Sequence, residues 1–250
     1  MNMSFRFPDR TLVLTGANGG IGREVATLFA QAGANLVLAD RDIDALDAFV
    51  ASELSETGDR IATMQVDSSK PAHAQALVQC AAERFGGIDF LVPSAGIYLA
   101  QPFVDMTDEQ WHQTISINLD GVFYICQRAT TYLRPNSAIV NLSSLAAHRG
   151  ALYNAHYSAT KGALISFTKS LARELGPATR VNTVSPGVID TPMAVDLIAR
   201  RGAESIEQAP LKRLGHPREI ASVIAFLCSD AASFITGENI HINGGLHMGG

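Results

Sequence analysis

T-L-V-L-T-G-A-N-G-G-I-G, residues 11 to 22, is the stretch on which the reading of this chain turns. Thr11 to Thr15 is short, apolar and β-branched, the composition of a strand buried on both faces of a parallel sheet. Gly16, Gly19, Gly20 and Gly22 follow at once. After them Ile21, Val25, Leu28 and Phe29 fall at i, i+4, i+7 and i+8, the stripe of a helix packed on a sheet, and Gly33 suits its C-terminal cap. N-L-V-L-A-D, ending at Asp40, reads as the next strand. Strand, glycine turn, helix, strand is the start of an α/β chain built on parallel strands.

Glycines in such a turn have a physical task. The turn uses backbone conformations closed to a residue with a Cβ, a pyrophosphate has to approach the main chain closely, and the helix N-terminus supplies amide donors and a positive dipole end. Gly16, Asn18, Gly19, Gly20, Ile21 and Gly22 are therefore the expected phosphate-binding residues of a dinucleotide site. Asp40 stands 18 residues after Gly22 at the strand end, where a carboxylate accepts hydrogen bonds from the adenosine ribose diol and repels the extra phosphate of NADP. Arg41 pulls the other way, because a guanidinium can hold that phosphate. The residue at the strand end is taken as dominant, and NAD is the expected cofactor.

The bulk numbers fit one large α/β domain spanning residues 1–250. The chain is 47% hydrophobic and 17% charged, with no repeat and no low-complexity tract, as expected of a globule with a full core. A formal net charge of -5 argues against a nucleic-acid partner, which demands a basic face. Arg200 and Arg201 read as solvated surface. Cys80, Cys126 and Cys228 are scattered singly, and His148, His156, His241 and His247 lack the spacing of a ligand set, so no metal is expected. The opening M-N-M-S-F-R-F-P-D-R lacks the apolar core of a secretory signal, and no run approaches a membrane span. A cytoplasmic protein without a membrane partner is the expectation.

Further along, Ser143 to Gly162 reads S-S-L-A-A-H-R-G-A-L-Y-N-A-H-Y-S-A-T-K-G. Tyr157 and Lys161 are four apart, so on a helix the phenol and the ammonium share a face and can reach one substrate oxygen. A free tyrosine, with a pKa of about 10, is a poor base at neutral pH. One positive charge at roughly 4 Å and an effective dielectric near 20 contributes about 4 kcal/mol, enough to bring the phenol down to near pH 7. Proton exchange by Tyr157 at working pH is the expected consequence, with Ser144 thirteen residues upstream as a further hydroxyl.

With T-G-x-x-x-G-I-G at 15 to 22, Asn118 in S-I-N-L-D-G-V-F, Ser144, Tyr157-x-x-x-Lys161 and P-G at 186 and 187, the chain resembles the short-chain dehydrogenase/reductase family from about residue 9 to the end. The resemblance implies a single Rossmann-type, doubly wound domain with a seven-stranded parallel sheet and helices on both faces. It implies Tyr157 as general acid/base, Ser144 as the donor that polarises the substrate oxygen, and Lys161 as the group that lowers the tyrosine pKa and binds the nicotinamide ribose. Asn118 would hold a water linking Lys161 to solvent. Asp67 and Ser68 after the third strand, Ala95 and Gly96 after the fourth, and Pro186, Gly187, Val188 and Thr191 after the sixth match family positions around the cofactor. These fit the rule that ligands bind beyond the carboxyl ends of parallel strands.

One stretch departs from the pattern: Pro93-Ser94-Ala95-Gly96 stands where the family usually has N-N-A-G, and proline has no amide to donate. The hydrogen bonds of the usual Asn must be lost or replaced there. Residues 190–212, with Met193, Leu197 and Ile198 at helical spacing and Gly202 as a break, read as a mobile substrate lid. Tyr98, Leu145, His148, Tyr153, Asn154 and Val188 flank the reactive residues as pocket candidates. Apolar residues on more than one side of the helices around Asn118 and Tyr157 call for a partner surface, and the resemblance implies a homotetramer. The expected activity is NAD-dependent hydride transfer to or from a small-molecule secondary alcohol or ketone, such as a polyol, a sugar-like or a cyclic alcohol. Two alternatives stand beside it. S-L-A-R-E-L around Arg173 and L-K-R-L-G-H-P-R-E-I are similar to 3-oxoacyl carrier-protein reductases, which generally use NADPH, and a non-catalytic NAD(H)-sensing protein would need only the glycine turn and Asp40.

Overall fold

Seven apolar runs pair side by side, all parallel, in the order β3-β2-β1-β4-β5-β6-β7. The computed structural model describes residues 5–249. The strands are β1 (Thr11–Thr15), β2 (Asn35–Asp40), β3 (Ile61–Gln65), β4 (Ile88–Pro93), β5 (Leu133–Leu142), β6 (Thr179–Pro186) and β7 (Asn239–Ile242). The helices are α1 (Gly20–Gln31), α2 (Ile43–Glu53), α3 (Pro71–Phe85), α4 (Asp108–Ile115), α5 (Gly121–Ala129), α6 (Ala146–Arg149), α7 (Ala155–Leu175), α8 (Val195–Gln208) and α9 (Pro217–Cys228).

Side-chain alternation divides the core into two layers. Leu12, Leu14, Leu36 and Leu38 point to the face covered by Val25 and Phe29 of α1, Leu46 and Phe49 of α2, and Ile220 and Ile224 of α9. Val13, Val37, Leu91 and Ile139 point the other way, onto Leu77 and Val78 of α3, Val122 and Ile125 of α5, and Leu164 of α7. Both faces are buried, which is why β1 reads as a continuous apolar run and not as an alternating one. This is the doubly wound α/β fold expected from the sequence.

The strand order reverses between β1 and β4, and at that point a crevice opens beyond the carboxyl ends of the strands. The opposite end is fastened by charge. Buried Asp89 accepts from the Thr11 amide at 2.8 Å and pairs with Arg10 at 2.7 Å and Arg134 at 2.8 Å, tying β1, β4 and β5 together. Pro93 costs the sheet little, because β1 replaces what it lacks: the Ser94 amide donates to the Thr15 carbonyl at 3.2 Å and the Ala95 amide to Thr15 Oγ1 at 3.2 Å.

One expectation is corrected within residues 190–212. Gly202 does not break the segment; it lies buried inside the fourteen-residue α8, and a Cβ there would sit 3.1 Å from Ile198 Cγ2. It is small to admit a neighbouring side chain on its own helix, and not to turn the chain. Among the described residues no helix is long and apolar enough to cross a membrane.

Candidate active site

The glycine turn is built as its sequence implies. Gly16 has φ +66°, and a Cβ on it would lie 2.7 Å from the Ala95 amide nitrogen, so the turn and the loop after β4 touch backbone to backbone. α1 starts at Gly20 with no side chain capping its first amides and no acidic residue in its first turn. Those amides are donors for an anion. Asn18 is fixed from both sides, its amide donating to Asp40 Oδ2 at 3.0 Å and its Oδ1 accepting from Arg23 at 2.6 Å. Asp40 Oδ1 accepts from the Asp42 amide at 3.2 Å. Each carboxylate oxygen keeps further acceptor capacity for a ribose diol.

Ser144, Tyr157 and Lys161 meet across the crevice from the turn. β5 ends at Leu142, delivering Ser143 and Ser144, and Ser144 Oγ accepts from the Ala146 amide at 3.1 Å at the head of α6. Tyr157 and Lys161 share one face of α7, and the Tyr98 ring stands edge-on against Tyr157 with centroids 4.7 Å apart. Lys161 Nζ donates to the Leu142 carbonyl at 2.8 Å and lies 5.6 Å from the Tyr157 ring centroid.

Here the electrostatic expectation is corrected. The Tyr157 phenol is not lowered towards neutrality but pushed up to about 12, because burial outweighs the hydrogen bond from Ser144, and Tyr98 adds to the rise. Lys161, itself brought down to about 8 by burial, spends its ammonium on the Leu142 carbonyl. In this state Tyr157 is a protonated acid. An ammonium that titrates near 8 in the fold and at its ordinary 10.5 when unfolded makes the unfolded chain the better proton binder between those values, so stability rises with pH across that window. Burial of the charge costs roughly 3 kcal/mol at pH 7 and about 2 kcal/mol less at pH 9.5. Urea unfolding at the two pH values should find the parent gaining about 2 kcal/mol on Lys161→Met; parallel pH dependences would contradict a depressed Lys161.

Asn118 sits in a single π turn, Ser116–Asp120, fully buried. Its Oδ1 accepts from the Ile97 amide at 2.8 Å and its Nδ2 donates to the Ile97 carbonyl at 2.9 Å. The side chain is thus committed to holding the loop after β4. A water relay past Lys161 would have to use a main-chain group of the π turn, where the regular helical pairing is interrupted.

A cavity of about 820 Å³ joins these parts. Gly16, Asn18, Gly19, Gly20, Ile21 and Gly22 line one end, Ser144, Tyr157 and Lys161 the middle, and Gly96, Pro186, Gly187, Val188 and Thr191 the walls. Its size and its uncapped helix N-terminus fit a dinucleotide together with a substrate. Asp40 and Arg41 stand outside these walls, at the end of β2. Asp67 is turned to its own loop, with Oδ1 accepting from the Ser69 amide at 2.9 Å and from Ser69 Oγ at 2.7 Å, bonds that hold its carboxyl below the usual range. Asp67 and Ser68 do not line the cavity.

The outer half of the cavity is where the sequence said least. Tyr98, Leu145, Tyr153, Asn154 and Val188 line it as expected, but His148 faces away, towards His241 and His247. Arg200 and Arg201, read as plain surface, stand with Arg149 on its wall, exposed but facing the site. Met193, Leu197 and Leu246 add apolar surface. No local pattern marks Arg149 or Leu246; only the helical stripe of 193 and 197 hinted at this wall.

The fold and this constellation define a class. A family model described as enoyl-(acyl carrier protein) reductase matches residues 16–247, and the chain belongs to the short-chain dehydrogenase/reductase family. Among its relatives, the 3-oxoacyl-acyl-carrier-protein reductase FabG of Thermotoga maritima is 36% identical over 244 residues, 96% of this chain and 99% of that one. The Vibrio cholerae protein of the same name is 34% identical, covering 96% and 98%. A crystal structure from Brucella melitensis, described as short-chain dehydrogenase/reductase SDR:Glucose/ribitol dehydrogenase, superposes with TM-score 0.96 at 62% identity over 99% of this chain and 100% of that one. Oxidoreductase activity follows from the family. The curated relatives back the carrier-protein reductase alternative better than the polyol reading.

Proposed function

We propose that this oxidoreductase reduces a 3-oxoacyl thioester to the 3-hydroxyacyl thioester, using NADH. The observation that carries the proposal is the shape of the cavity. Past Tyr157 it continues between Leu152, Met193, Leu197 and Leu246, apolar enough for an acyl chain, and Arg149 and Arg200 on its wall offer guanidinium donors to the phosphate of a pantetheine arm, while Arg201 beside them is paired with Glu204 at 2.9 Å. The names of the curated relatives support the same choice.

The dinucleotide, held by the Gly16–Gly22 turn and Asp40, supplies the hydride when bound. Ser144 donates to the ketone oxygen and withdraws charge from its carbon. Tyr157, protonated at neutral pH, gives its proton to that oxygen as the alcohol forms. Lys161 holds a positive charge behind the ring and supports the phenolate left behind. The same groups in reverse oxidise a secondary alcohol, which needs Tyr157 as a base and therefore runs better at high pH.

Dehydrogenation of a polyol is the second reading, favoured by the description of the Brucella melitensis neighbour. Following NADH absorbance with acetoacetyl and longer 3-oxoacyl thioesters, and separately with ribitol and glucose, separates the two. Turnover confined to the polyols would reject the thioester reading, and none on either panel would favour a cofactor-sensing protein.

Choice of NAD rests on Asp40. Asp40→Ser, which leaves Arg41 in place, should move the ratio of kcat/KM for NAD over NADP by on the order of 100-fold towards NADP, the scale of removing one charge close to a phosphate. A parent enzyme that already prefers NADPH would remove the argument. We also propose that the chain works as a cytoplasmic homotetramer joined through α5 and α7, where Phe123 is exposed, and that residues 190–212 close over the substrate. Gel filtration at micromolar concentration tests the assembly, and a clean monomer would contradict it.

A further inference from the structure

Three histidines far apart in sequence come together on the far side of the Ser144 loop. His148 lies in α6, His241 in β7 and His247 in the tail beyond it, and one ring nitrogen from each falls within 4.8 Å of the others. The rings pack face and edge with centroids 4.5 to 5.0 Å apart. All three are partly buried. We propose that His148, His241 and His247 form a site for a divalent transition ion, Zn²⁺ in the first instance, that clips the C-terminal tail to the loop carrying Ser144.

The surroundings are those of a ligand set. Ser185 Oγ, which donates to Asn239 Oδ1 at 2.7 Å, lies 3.1 Å from His148 Nε2, and Asn239 Nδ2 stands 3.4 Å from both His148 Nε2 and His241 Nε2. An imidazole held at one nitrogen by neighbouring side chains, with the other nitrogen left to a ligand, is the arrangement of a metal-bound histidine. His241 Nδ1 is buried with no hydrogen-bond partner among the described residues. The histidines lie next to one another without a carboxylate in the group, a choice that suits a borderline ion and not calcium or magnesium.

Geometry asks for a modest closure. Metal–nitrogen bonds of about 2.0–2.1 Å in a tetrahedron set the nitrogens roughly 3.3 Å apart, so the widest separation must shrink by about 1.5 Å, within reach of side-chain rotation. The fourth position would be left to water. What the clip would fix is relevant to the main site, because the tail is already joined to the Ser144 side of the cavity. Arg149 donates to the Leu246 carbonyl at 3.0 Å, the Asn243 side chain donates to the His247 carbonyl at 3.0 Å, and Leu246 lines the outer cavity.

The test uses the tag-free full chain, stripped with a chelator and dialysed against Zn²⁺, with metal content and calorimetry as readouts. One zinc per chain at micromolar or tighter affinity is expected, together with a tetrahedral visible spectrum when Co²⁺ is used instead. His148→Gln, His241→Gln and His247→Gln should each weaken binding at least 100-fold. Saturating Zn²⁺ should raise the melting temperature of the parent by roughly 5 °C or more and leave that of the variants in place. His247→Gln, beyond the last strand, keeps the test readable if His241→Gln fails to fold. No stoichiometric binding by the parent, or one zinc retained by folded His148→Gln and His247→Gln chains, would overturn the proposal.

Discussion

Tyr157→Phe should lower kcat by about 10³-fold or more and leave dinucleotide affinity within about threefold of the parent. In the proposed reaction the phenol oxygen passes a proton to a substrate oxygen, and positioned proton transfer is worth roughly 10² to 10⁴ in rate. Burial holds that proton on the oxygen at neutral pH, so its removal takes away the acid itself and not only a contact. The ring stays: Phe keeps the edge-on packing against Tyr98 and the place on α7 above Lys161. A fold defect is therefore not expected. Single-turnover reduction with NADH, a fluorescence titration of NADH binding and a thermal melt separate the contributions. If the variant turns over within tenfold of the parent, the acid lies elsewhere and the Tyr157 assignment fails.

The second large effect falls at the glycine turn, where Gly22→Ala should abolish cofactor binding and destabilise the chain. A Cβ at Gly22 would lie 2.1 Å from the Gly16 carbonyl oxygen and 2.9 Å from Ala17 Cα. Both are backbone atoms, so no side chain can rotate out of the way, and α1 has to back off from the turn. A cost of about 3 kcal/mol, or a fall of roughly 6–12 °C in melting temperature, is the expected scale. Loss of at least 100-fold in NADH affinity should accompany it. Gly19→Ala is the control: its backbone is extended, φ -71° and ψ 161°, and its Cβ would come no closer than 3.3 Å to the same oxygen. Its melting temperature should stay near that of the parent. Equal behaviour of the two variants would mean that the close approach at Gly22 is not what the turn depends on.

The sequence is most informative where one physical constraint acts on neighbouring residues. The strand, turn and helix of residues 11 to 31 were legible because burial period, positive φ and amide donation act on consecutive positions. Tyr157 and Lys161 were legible because a helix puts i and i+4 on one face, and their helix is there. Gly202 was misread because a glycine that turns a chain and one that admits a neighbour look alike in sequence. Asn118 could be assigned to the site, but nothing local tells that its amide is consumed by Ile97 from another loop.

The sign of the Tyr157 shift was out of reach for the same reason. Spacing places an ammonium near a phenol but does not say how deeply the pair is buried, or that the Leu142 carbonyl from β5 takes the ammonium for itself. The three histidines make the point most clearly. His148 and His241 are 93 residues apart, and they meet because β5, which leads into α6, and β7 both flank β6.

By itself, then, the sequence determined the parallel α/β architecture, the strand–glycine turn–helix unit with Asp40 at the next strand end, and the placing of Tyr157 and Lys161 on one helical face, since each follows from short-range periodicity and residue chemistry. Tertiary structure alone decided which way the buried groups titrate, which arginines line the cavity and which histidines meet. Those depend on desolvation and on contacts between strands that neighbour each other only once the sheet has closed.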